Sequence, residues 1–186
     1  MANCVECGTK LGFLDAGVGG LCSQCNYLSS VTPNEVEALT QTVERNEAMI
    51  MGYDIASNRG HTPMRLEAKP SFGNILVWKI VYETDDYFYV DAVRASLAPR
   101  VFYGTSVQKL NLGRDMPWLR QDSQQARDIE RFRWFSNGYI ARSPDFSNRI
   151  IDVRYSMLPN EVAPLWSIEL HPEAEDTEHA EYQVHR

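Results

Sequence analysis

Cys4, Cys7, Cys22 and Cys25 are the residues of this 186-residue chain whose type and spacing most directly specify chemistry. They form two Cys-x-x-Cys pairs with fourteen residues between them. A two-residue gap lets a tight turn aim both sulfurs of a pair at one point, and Gly8 behind Cys7 frees the backbone for that turn. Four thiolates at about 2.3 Å complete a tetrahedral shell, so the expected cofactor is one structural Zn²⁺ in a ribbon over residues 1–30. The spacing does not separate zinc from a mononuclear iron on the same four sulfurs. Catalytic zinc is not expected, because no coordination position would remain for water. A thioredoxin-like redox pair would need a βαβ setting that neither pair has.

No catalytic set emerges elsewhere. The histidines, His61, His171, His179 and His185, form no HExxH or i,i+4 arrangement with an acid, and three of them lie in or beside the C-terminal segment. His61 follows Gly60 at an expected helix end, where a capping role accounts for it. There is no Gly-x-Ser-x-Gly elbow, and Val18-Gly19-Gly20 lacks the Gly-Lys-Ser/Thr of a phosphate loop. The run Arg131-Phe132-Arg133-Trp134-Phe135 mixes cations with aromatics as single-stranded nucleic-acid sites do. Helical spacing explains it more simply, with Phe132 and Phe135 inward and Arg131 and Arg133 outward or paired to Asp128 and Glu130. The net charge of -7 and the lack of a basic block also argue against nucleic acid as a partner.

The elements that hold these residues follow from periodicity. Thr32-Pro33-Asn34-Glu35 is a capping box, opening a connecting helix over 31–60. Val36, Leu39, Val43 and Ile50 give that helix an apolar stripe, expected to dock on the chain's own sheet, with self-association through residues 33–50 as the alternative. Residues 61–170 read as one antiparallel-sheet domain with one or two helices, hence an α+β fold. Its expected strands are 74–84, 87–95, 101–110, 139–142, 149–156 and 165–170, with a turn at Asp85-Asp86 and a helix over 126–135 closed by Asn137-Gly138. Pro172 to Arg186 carries five acids and one base, so 171–186 reads as an acidic disordered tail contributing little to stability.

At 44% hydrophobic residues the chain can bury a core. No apolar run approaches the roughly 20 residues of a membrane span and no signal sequence is visible, so the expected location is the cytoplasm, where thiols stay reduced and take metal.

Residues 58–170 resemble the soluble C-terminal region of bacterial inner-membrane metal-dependent hydrolases. The resemblance is carried by Arg59-Gly60-His61-Thr62-Pro63, Arg65 to Asn74, Arg131 to Tyr139, Asp152 to Pro159 and Leu165 to Glu169. In that family the metal chemistry belongs to an N-terminal membrane part, which here is replaced by the ribbon and helix. The resemblance therefore implies an accessory domain without catalytic residues to carry over, and a partner that is membrane-associated. The expected function is a zinc-binding accessory or regulatory protein that acts as a protein-interaction module. The alternative is a hydrolase-related enzyme or subunit.

Overall fold

The computed structural model describes residues 33–71, 74–96 and 98–185. The four cysteines and the expected ribbon lie outside the described residues. The chain divides into two units, Met1–Val43 and Glu44–Arg186. The described part of the first unit, 33–43, is helical.

Helix α1 (Pro33–Asn58) is followed by β1 (Arg65–Ser71), β2 (Asn74–Glu83), β3 (Tyr87–Arg94) and β4 (Arg100–Gln108). These strands form one antiparallel sheet in sequence order. After the short α2 (Leu112–Asp115) and α3 (Gln124–Phe135), a second antiparallel meander follows: β5 (Ile140–Arg142), β6 (Arg149–Asp152), β7 (Trp166–Glu169) and β8 (Glu181–Val184). The architecture is α+β, with two four-stranded sheets where one was expected.

Within the second unit the elements stack in four layers. Ala48, Ile55 and Ala56 of α1 bury against Leu66, Trp78, Ile80, Tyr82 and Val93 on one face of the first sheet. The other face, with Val81, Phe88, Val90 and Val107, meets Tyr139, Ala141, Ile151 and Val153. Ile140, Ile150, Ile168 and Leu170 then bury against Ile129 and Phe132 of α3.

The helix contact corrects the expected docking stripe. Within the second unit, Ile50 of that stripe is 62% exposed and does not bury on the sheet. The docked side is built from small residues instead. A Cβ at Gly52 would lie 2.9 Å from Ile80 Cγ2, so the glycine permits an approach that a larger residue would push apart.

Both long helices end as the sequence anticipates. Gly60 adopts φ 74°, with Gly60 N–H donating to Ser57 O at 2.9 Å and His61 N–H to Ala56 O at 2.9 Å, a Schellman closure. Asn137 does the same for α3 at φ 50°, with Gly138 N–H donating to Arg133 O at 2.8 Å. The Ser123 hydroxyl caps the start of α3 by accepting from Ala126 N–H.

The segment read as an acidic tail is different in the structure. Residues 181–184 form β8, paired with β7 from Trp166↔Val184 to Glu169↔Glu181. Polar side chains of α3 recruit the preceding residues: Gln125 exchanges two hydrogen bonds with the backbone of His171 (2.9 and 2.8 Å). The Gln124 N–H reaches Asp176 O at 2.7 Å. Composition alone hides this, because the tail is tied by its backbone rather than by apolar side chains.

Candidate functional site

The surface between α3 and β8 is a groove of about 420 Å³. Phe132, Phe135, Ile168 and Tyr182 give it an apolar floor, and Asp128 and Arg131 stand at one end with His179. The floor is an aromatic lattice. Phe132 stacks on Phe135 at 6.0 Å and meets Tyr182 edge-on at 6.5 Å, while Trp166 stands edge-on to both Phe135 and Tyr155. The Arg154 guanidinium lies 5.8 Å from the Phe135 ring centre and is held there by Asp152 and by Phe135 O. These rings stay open to water: Phe135 and Tyr182 of the lining are roughly half exposed, and Trp134, outside the lining on the same helix, is 86% exposed. Phe132 faces inward as expected from helical spacing, but Phe135 is 44% exposed.

Asp128 closes the polar end. Its carboxylate accepts from Gln124 Nε2, Arg131 Nη1, His179 Nδ1 and Ala180 N–H at 2.9–3.1 Å. Burial alone would raise its pKa, yet these donors outweigh burial and hold it below the usual carboxylate range. Arg131 pairs with Asp128 and Arg133 with Glu130, as the i,i+3 spacing predicts. A groove with an apolar floor, a saturated acid and an exposed arginine suits binding of apolar side chains rather than proton transfer.

The other polar clusters are closed. At the end of α1, Arg59 makes two bonds to the fully buried Asp91, at 2.6 and 2.8 Å, and a third to the Tyr82 hydroxyl at 3.1 Å. His61 Nδ1 lies 2.8 Å from the same hydroxyl, which stacks with Tyr89. Burial raises the Tyr82 pKa. Gly104 N–H completes the acid at 2.9 Å. His61 thus caps the Ala56 carbonyl through its backbone N–H, and its ring joins the side-chain network that anchors the helix end.

On the opposite face of β2, the buried Lys79 ammonium donates to Ser156 Oγ and Glu161 O, both at 2.7 Å. Burial pushes its pKa down to about 7. A serine beside a lysine of lowered pKa is a pattern used in nucleophilic catalysis. Here Ser156 Oγ lies within hydrogen-bond reach of Leu158 O (2.6 Å) and Glu161 O (2.9 Å), and both side chains are sealed from solvent. The pair fastens the 153–165 loop.

A second cleft, about 500 Å³ beside α2, is lined by Leu112, Met116, Pro117, Leu119 and Arg127. The Arg127 guanidinium is engaged by Gln124 Oε1 and Asp122 O, which leaves it a poor anchor for a ligand.

The expected zinc ligands Cys4, Cys7, Cys22 and Cys25 lie outside the described residues. Among the described residues no group of three or more His, Cys, Asp or Glu side chains converges as a metal site. Among them, too, no helix is long and apolar enough to cross a membrane. Arg131 to Phe135 were visible in the sequence as a motif. Tyr182 and His179 were missed because their segment carries no hydrophobic periodicity. No family model, curated protein or solved structure matches this chain.

Proposed function

We propose that the chain is an accessory protein-interaction module: a four-cysteine ribbon stapled by structural Zn²⁺, joined to an α+β unit that docks a protein partner in the α3–β8 groove. The observation that carries this reading is the half-exposed aromatic pair Phe135 and Tyr182 in the groove's apolar lining, with Trp134 86% exposed beside Phe135 in sequence on the same helix. Aromatic rings that remain wet in the free protein gain most from burial against another surface. The Arg131 side chain is 71% exposed and places a cation at the rim, so the partner segment is apolar with an acidic residue near its end. The resemblance of residues 58–170 to the soluble region of inner-membrane proteins supports a membrane-associated partner.

The test is site-specific photo-crosslinking in cells from a benzophenone side chain at position 134. The expected result is a discrete protein adduct that Phe135→Asp abolishes. Adducts identical to those from position 86, on the distant β2–β3 turn, would exclude the groove as the docking face. For the ribbon, zinc analysis of the purified chain is expected to give one metal per molecule, lost in Cys22→Ser.

A further inference from the structure

We propose that β8 is a self-pairing edge, through which a second copy of the chain adds antiparallel about Gln183. This goes beyond the groove reading and does not depend on it, since Val184, which it requires, is not part of the groove lining. Among the described residues β8 is the last strand of its sheet. His185 N–H donates to Leu165 O at 2.9 Å, which sets the alternation along the strand. Residues 181, 183 and 185 therefore turn their backbone groups toward β7, and the N–H and C=O of Tyr182 and Val184 point away from it.

Exposed edges are ordinarily blunted by lysine, proline or a bulge. Glu181-Tyr182-Gln183-Val184 carries neither residue, and its pairing with β7 runs without a register shift.

The strand is complementary to itself. With a twofold axis at Gln183, Tyr182 of one copy lies opposite Val184 of the other, twice, and each such pair exchanges two backbone hydrogen bonds. All the outward groups of both residues are then used. Aromatic and β-branched residues are favourable cross-strand neighbours. The same register sets Glu181 opposite His185 of the second copy, again twice. His185 uses Nε2 toward Ser167 Oγ at 2.7 Å, which leaves Nδ1 for the carboxylate. A carboxylate acceptor set against an imidazole N–H donor, twice over, is the complementarity that selects a second copy over an unrelated strand. The contact is isologous, so pairing closes at two chains. Its small size places it among weak, transient interfaces.

Sedimentation equilibrium on the full chain tests this. The wild type is expected to show a monomer–dimer equilibrium, and Val184→Pro, which removes an outward N–H, to weaken it about tenfold or more. Glu181→Lys is expected to weaken pairing and the Glu181→Lys, His185→Glu double variant to recover it. Under mild oxidation Gln183→Cys is expected to give a 183–183 disulfide in peptide maps, because facing residues of a non-hydrogen-bonded pair lie about 4.5 Å apart at Cα. The disulfide decides the matter should Val184→Pro fail to fold. A wild type that stays monomeric to about 1 mM overturns the proposal. So does a dimer untouched by Val184→Pro but dissolved by Ile50→Asp on the exposed side of α1, and so does a Gln183→Cys chain that links no more readily than Asp86→Cys.

Discussion

The two sheets share a strand order and an antiparallel path, yet they treat their polar and aromatic groups differently. On the first sheet the charges are turned inward and consumed. Asp91 is held by Arg59 and by Gly104 N–H, Glu83 is clasped between Arg65 and Lys109, and the Arg65 guanidinium lies 3.9 Å over the Tyr139 ring. Burial would raise the Glu83 pKa, but its two cations overcome that and lower it. On the second sheet the aromatic rings fan out to solvent and the last strand has an open side. Both sheets expose some aromatic rings and end on edge strands, Tyr103 of β4 being 66% exposed, and what sets the second apart is the groove it forms with α3. On the proposed reading, recognition falls to the α3–β8 layer and the buried ion pairs of the first sheet serve stability.

Five measurements would break or sharpen this contrast. The largest effect is expected on the first sheet. Asp91→Ala strands the Arg59 guanidinium and the Gly104 N–H, and should cost about 3 kcal/mol or more in denaturant unfolding. Gly104→Val should follow at about 3 kcal/mol, because even a Cβ there would overlap Val90 O and Asn160 O. A loss below about 1 kcal/mol in either case would show that this sheet is not the rigid partner of the two.

Deleting residues after Leu170 removes β8 and the bonds to Gln125, Gln124 and Asp128, and should lower stability by about 2 kcal/mol. An unchanged melting temperature would restore the view of this segment as an inert tail. Lys79 supplies the pH test. Its folded pKa of about 7 lies below the ordinary 10.5, so between those values the unfolded chain binds the extra proton. Its contribution to stability should therefore rise with pH across that window, by at most about 1.4 kcal/mol per unit, and be missing below it. Lys79→Met should flatten the slope, and equal slopes in both proteins would mean the ammonium is not desolvated. The smallest effect belongs to α3: Trp134→Ala should leave stability within about 0.5 kcal/mol of wild type while weakening the proposed partner contact.

What could be read in the sequence follows the same division. The strands at 74–83, 87–94 and 100–108 and the helix ending at Phe135 were legible, because Val, Ile, Tyr and Phe recur there at period two or three to four. β1 was not, since Arg65 to Ser71 contains no β-branched residue and owes its shape to a long register with β2. The docked side of α1 escaped notice because alanine and glycine weigh little in a hydrophobic pattern, while the more apolar Leu39, Val43 and Ile50 drew attention to the wetter side. Half of the candidate groove was readable in Arg131 to Phe135. Its other half required knowing that side chains of α3 would capture the backbone of residues 171–180.

The closeness of Gly104 to Asn160 has a consequence for tolerance to change. The loop presents the Asn160 backbone oxygen to Gly104 and the Asn160 amide to Tyr103 O, so apart from Asn160 the identities of residues 157–161 are free to drift as long as the chain path is kept. Position 104 has no such freedom, because any Cβ enters the space that the Val90 and Asn160 oxygens fill. In a saturation library the fitness map should therefore be lopsided at this contact, with a single permitted letter on the strand facing a permissive stretch on the loop.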